Sequence, residues 1–209
     1  MEKFIIETIP YGDEKLYKKK TINLKKGLTV LVGPNGSGKS TLIKLLKEEL
    51  RKQNIKFFSF DNYNEGGSRI LSELSFKEDF ETMAAMLSSS EGQRISETLR
   101  VRAPEIGYFV RKNSDSEKLF FFFDAVDSGY DIGNIISLKE DLFDTIIEDC
   151  RSKGIEAYII CSTNSYELAN GEQCFDIREG KYSTFENYDE YRDFILETEK
   201  KIREARKDG

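Results

Sequence analysis

Histidine and tryptophan are both absent from this 209-residue chain, and proline, cysteine and methionine occur three times each. Without imidazole there is no Ser-His-Asp hydrolysis, no Cys-His attack and no histidine-ligated zinc. The cysteines Cys150, Cys161 and Cys174 are odd in number and lack a C-x-x-C spacing. They read as reduced thiols rather than as a disulfide or zinc framework. No apolar run approaches the roughly 18 residues of a membrane span. The densest run, Leu119 to Phe123, is strand-sized, and Met1 to Pro10 lacks the apolar centre of a signal peptide. These absences lead to the expectation of a cytoplasmic protein with no membrane segment of its own.

What is present is enough for a core. Hydrophobic residues make up 38% and aromatics 12%, with a formal net charge of −6, so global disorder is excluded. The length suits one domain, taken here as 1–209. Short apolar runs alternate with helical patterns. Lys3–Ile9, Lys19–Leu24, Leu28–Val32, Ile55–Phe60, Leu119–Phe123 and Glu156–Cys161 read as strands. Thr41–Gln53, Phe76–Leu87, Gly92–Arg102, Leu138–Ser152 and Asn187–Lys207 read as helices. Cys174–Ile177 and Tyr182–Phe185 flank the hairpin signal Glu179-Gly180. The alternation predicts an α/β sheet covered by helices on both faces. Residues 66–112 are expected to form a small helical lobe, and 187–209 a C-terminal helix with a basic end.

The strongest motif is Gly33-Pro34-Asn35-Gly36-Ser37-Gly38-Lys39-Ser40, which matches G-x-x-x-x-G-K-[ST]. An apolar strand precedes it and an amphipathic helix follows, which is the context a phosphate loop needs. Glycines let backbone N–H groups wrap phosphate oxygens, and a helix N-terminus adds free donors and a favourable dipole. Lys39 is placed to reach the β and γ phosphates, and Ser40 to hold Mg²⁺. The chain is therefore expected to bind a nucleoside triphosphate. Asp124, ending the apolar strand, can hold the metal directly or through a bound water.

The stretch Gly33 to Thr41, GPNGSGKST, is written as ABC-type ATPases write it, and the later motifs follow in their order. LFFFFDAVDSGYD, Leu119 to Asp131, resembles their Walker B strand and D-loop. LSSSEGQR, Leu87 to Arg94, resembles their LSGGQ signature; Ser90, Gly92 and Gln93 match, and Glu91 replaces the first glycine. Tyr11 lies where the family stacks an aromatic on adenine, and a packing role is the equal alternative. The resemblance implies an ABC-like mixed sheet flanked by helices, with ATP and Mg²⁺ as ligands. It also implies an ATP-dependent homodimer in which each signature caps the opposite ATP.

Three positions depart from the family pattern. Ala125 stands where a glutamate usually polarises the attacking water, and alanine accepts no proton. Asn164 stands at the switch histidine; it can donate a hydrogen bond but has no useful pKa. Asp61, Asn62, Tyr63 and Asn64 stand where a Q-loop glutamine would be. Asp127, or Asp131, is the nearest replacement carboxylate for orienting water. Lys39 to Ser90 spans only 51 positions, a short lobe for a transporter subunit.

Three readings follow. The first is a soluble ABC-type ATPase with slow or atypical hydrolysis, acting on an unknown protein or nucleic-acid partner, as stand-alone members do in DNA repair or phage defence. The second is a nucleotide-gated binding module that does not hydrolyse. The third is the nucleotide-binding subunit of a transporter.

Overall fold

The computed structural model describes residues 1–6, 10–11, 14–61, 91–127 and 130–207. The chain starts with β1 (Glu2–Ile5), antiparallel to β4 (Thr21–Leu24); between them β2 (Pro10–Tyr11) pairs with β3 (Glu14–Lys15). Of the expected first strand Lys3–Ile9, residues 3–5 are strand, and 7–9 lie outside the described residues. Next come β5 (Gly27–Val32), helix α1 (Lys39–Lys52), β6 (Phe57–Asp61) and helix α2 (Glu91–Lys112). After β7 (Lys118–Asp124), α3 (Ile132–Ser137) runs through a π-helical stretch (Leu138–Asp144) into α4 (Thr145–Ser152). The chain closes with β8 (Glu156–Ser162), the short α5 (Tyr166–Ala169), β9 (Cys174–Asp176), β10 (Lys181–Ser183) and α6 (Tyr188–Lys207).

Among the described residues the central sheet has six strands in the order β10-β9-β5-β8-β7-β6. All neighbours are parallel except the β9–β10 hairpin. A parallel sheet must be buried on both faces, and the LFFFF run shows how one strand meets that demand. Side chains alternate along a strand. Phe120 and Phe122 therefore face α1 and its residues Leu42, Ile43, Leu46 and Leu50. Leu119, Phe121 and Phe123 face the other layer, built from Val110 of α2 and from Ile135, Phe143, Ile146 and Cys150 of the 132–152 helical run. The β1–β4 pair packs on the α1 side, where Phe4 meets Phe120 edge-on at 5.7 Å. A third cluster, with Val30, Val32, Phe185 and Tyr191, seats α6 against the β5–β9 side of the sheet.

Two helices are longer than periodicity suggests. Leu138–Ser152 continues backwards to Ile132, because Asp131 caps that end by accepting from Asn134 N at 2.8 Å. The helix expected at Gly92–Arg102 runs to Lys112 and carries Pro104 in its interior. The helix expected at Phe76–Leu87 lies outside the described residues, as does most of the proposed lobe.

The parallel strands all deliver their C-terminal ends to one edge. Register pairs Leu31 with Ser162, Phe123 with Cys161, and Asp61 with Asp124. That edge is where ligands bind in open α/β sheets.

Candidate functional site

At that edge β5 runs into the loop 33–38, and α1 starts at Lys39. Two glycines make this loop possible. Gly33 has φ 146°, and a Cβ there would sit 2.8 Å from Ser37 Oγ. Gly38 caps α1 at φ 101°, and a Cβ there would sit 2.9 Å from Leu16 Cδ2. Only glycine meets both the positive φ and the close approach. Tyr17, buried beneath, donates to Gly38 O at 2.8 Å and ties the loop to the strap before β4.

The loop opens onto a cavity of about 440 Å³, also lined by Leu16, Asp124, Ala125, Asp127 and the segment 162–164. Lys39 lies at its floor. Its ammonium donates to Gly33 O at 2.5 Å, Pro34 O at 3.2 Å and Asn164 Oδ1 at 2.9 Å. Burial pulls its pKa down to about 8, while Asp127 and Asp124 oppose the fall. Asn164 reaches across the cavity mouth, since its amide also donates to Asn35 Oδ1 at 3.0 Å.

Ser40 and Asp124 adjoin. Ser40 Oγ donates to Asp124 Oδ1 at 3.1 Å, although 84 positions separate them. Asp127 Oδ2 takes three donors from the loop after β8: Thr163 Oγ1 at 2.5 Å, Asn164 N at 3.0 Å and Ser165 N at 3.1 Å. Ala125 adopts a left-handed conformation at φ 53° and donates its N–H to Ser162 Oγ at 2.9 Å.

These residues fit a triphosphate with a hard divalent cation. The Ser37 hydroxyl is buried without a hydrogen-bond partner, inside a loop shaped by glycines, where a phosphate oxygen would supply the missing acceptor. Ser40 and Asp124 offer adjacent oxygen donors of the type Mg²⁺ selects. Among the described residues no cluster of three or more His, Cys, Asp or Glu could hold a metal by itself, so a cation here would need phosphate oxygens and water as well.

The structure gathers Asn35, Gly36, Ser37, Gly38, Lys39, Ser40, Thr41, Asp124, Asp127 and Asn164 around the one cavity. Gly33 and Pro34 bound it through the carbonyls on Lys39. Gly92 lies in α2 as described, Glu91–Lys112. Ser90, the Tyr11 ring, and Asn62 to Asn64 lie outside the described part of the molecule. Asp131 is exposed, with Oδ1 committed to its cap. Leu16 and Ser162 are wall residues that no motif marks. The one signal for Leu16 was an apolar residue after a turn, and for Ser162 its place at the end of an apolar strand.

Comparison with known proteins agrees with this geometry. A family model described as an AAA domain matches residues 15–208. The Bacillus subtilis (strain 168) protein named "Putative HMP/thiamine import ATP-binding protein YkoD" is 30% identical over 108 residues, covering 51% of this chain and 18% of that protein. No helix among the described residues is long and apolar enough to cross a membrane. Together, the strand–loop–helix around Lys39, the carboxylate Asp124 at the end of β7 on the same sheet edge and a match over nearly the whole chain have one meaning: the chain belongs to the AAA-domain family of P-loop NTPases.

Proposed function

We propose that the chain is an ATP-binding, ABC-type ATPase that works as an ATP-dependent dimer, gates a partner and hydrolyses slowly. One observation carries the reading. Lys39, Ser40 and Asp124 line the same cavity as Ala125 and Asn164, the residues that stand where the ABC resemblance expects a glutamate base and a switch histidine. Ser40 and Asp124 would hold Mg²⁺, which would supply charge neutralisation to the triphosphate. The loop amides and Lys39 orient the triphosphate. Asn164 Nδ2 gives up its bond to Asn35 Oδ1 to donate to the γ-phosphate.

Asp127 is the carboxylate we assign to orienting water, because it lines the cavity whereas Asp131 serves a helix cap. Asp127 Oδ2 already accepts three hydrogen bonds and so is committed to holding the 163–165 loop. Positioning and electrostatics still supply most of phosphoryl-transfer catalysis, so turnover is slow rather than zero. Ser90 and Gly92 of a second copy cap the ATP in this arrangement, and the partner is a protein or nucleic acid.

The test is light scattering and phosphate release over hours with Mg-ATP. We expect dimer formation with slow release, and Ala125→Glu should speed release by about 10-fold or more. Fast turnover in the parent chain, or no gain in Ala125→Glu, refutes slow hydrolysis for want of a base. Dimerisation with no release at all supports a non-hydrolysing gate instead. The name of the Bacillus relative favours a second reading, a transporter's nucleotide-binding subunit. A neighbouring gene for a multi-span membrane protein would select it.

A further inference from the structure

Ser162 closes β8 directly beside the nucleotide cavity and is 2% exposed. Its hydroxyl has one proton to give and room to accept. It gives the proton to Asp124 Oδ1 at 2.5 Å and accepts the Ala125 N–H at 2.9 Å. Asp124 Oδ1 thus carries two hydroxyl donors, Ser162 from β8 and Ser40 from α1. The two anchors differ in kind. Ser40 belongs to the phosphate loop and is itself a candidate cation ligand, so its geometry changes with what the cavity holds. Ser162 touches neither Lys39 nor the loop among its hydrogen bonds, and its strand is locked in register with Leu31 and its neighbours.

From this we infer that Ser162 is a positioning residue for the cation that accompanies the nucleotide. It holds the Asp124 carboxylate in the orientation a divalent ion needs and, through the Ala125 amide, fixes the left-handed backbone immediately after it. The inference rests on the nucleotide-binding reading above. Groups that orient a ligating carboxylate this way carry about 10- to 100-fold in metal affinity. Ser162 acts on the metal side of the site alone, so metal-free nucleotide binding through Lys39 and the loop amides does not depend on it.

The experiment uses the full chain, with Mn²⁺ as a paramagnetic probe and ATP as ligand. ATP affinity is measured with Mn²⁺ and in EDTA, alongside the Mn²⁺ electron paramagnetic resonance spectrum. For Ser162→Ala the expected result is an approximately 10-fold loss of Mn-ATP affinity with an altered spectrum, and affinity in EDTA within about two-fold of the parent. Ser162→Thr keeps the hydroxyl and suits a strand, so it should restore both readouts. If Ser162→Ala does not fold, Ser162→Cys keeps the size with a much weaker donor, and is expected to show the same selective loss. Equal losses with Mn²⁺ and in EDTA would mean a purely structural residue and would overturn the inference, as would unchanged Mn-ATP binding. Failure of the parent chain to bind ATP under either condition would instead overturn the nucleotide reading itself.

Discussion

Lys39 carries a charge into a place that resists charge. The floor of the cavity buries its ammonium, and the pKa falls from the ordinary 10.5 to about 8 despite Asp127 and Asp124 nearby. The sign of the consequence can be worked out. Between pH 8 and 10.5 the unfolded chain holds this proton and the folded chain does not, so the cost of burying the charge shrinks as pH rises through that window. Triphosphate binding acts in the opposite sense, because the polyanion favours the ammonium. Affinity for ATP should therefore fall as pH rises above about 8, with net proton uptake on binding at pH 8.5. Titration calorimetry in two buffers of different ionisation enthalpy measures that uptake. Lys39→Met should abolish it along with most of the affinity; proton uptake surviving in Lys39→Met would assign it elsewhere.

At the scale of elements, one side chain of the β7 turn organises the loop after β8. Asp127 Oδ2 satisfies the backbone N–H groups of Asn164 and Ser165 and the Thr163 hydroxyl. Asp127→Ala strands those donors, at roughly 1–3 kcal/mol for each one left without water. The expected outcome is faster amide hydrogen exchange at Asn164 and Ser165, with the rest of β8 still protected. Exchange unchanged at those amides would show that the loop stands without the carboxylate.

The strand itself is held differently. Phe122 is fully buried and meets Phe57 edge-on at 5.8 Å, between α1 and the sheet. Phe122→Ala should cost about 3–5 kcal/mol in a denaturant titration. A cost below about 1 kcal/mol would mean that the face repacks freely. Much of this level was legible beforehand. Period-2 burial in an apolar run and helical spacing in 41–53 are local signals. Helix ends were less legible. The extension of 138–152 back to Ile132 depends on the Asp131 cap and on Ile135 packing into the core on the α2 side of the sheet, neither of which periodicity weighs.

For the whole molecule, the three cysteines report on the fold as a unit. Cys150, Cys161 and Cys174 are buried in two of the core clusters. Burial raises the Cys150 thiol to about 11 and the Cys174 thiol to about 12, and pushes Cys161 well above its ordinary value. Thiolate is the reactive form, so the native protein should be inert to a thiol reagent at pH 8, and all three should react together on unfolding. Rapid labelling of one thiol in the native state would reveal local opening of its layer.

The amino-acid sequence by itself determined the candidate phosphate loop. Gly33 to Ser40 are contiguous, and the backbone path that wraps a phosphate depends on residues next to each other in the chain. It also determined the missing imidazole, which leaves the segment after β8 without a histidine. What only the tertiary structure decided is how the far segments meet. Asn164 lies 125 positions from the ammonium it bonds, Ser162 38 from Asp124, and Asp127 36 from the hydroxyl it accepts. Those meetings follow from strand order, since β5, β8 and β7 are neighbours only after the sheet has assembled. Hydrogen bonds of this kind act over about 3 Å and leave no periodic trace along a chain. The candidate phosphate loop was therefore local and readable, whereas the hydrogen bonds that join Asp124, Asp127 and Asn164 to distant segments emerged only with the fold.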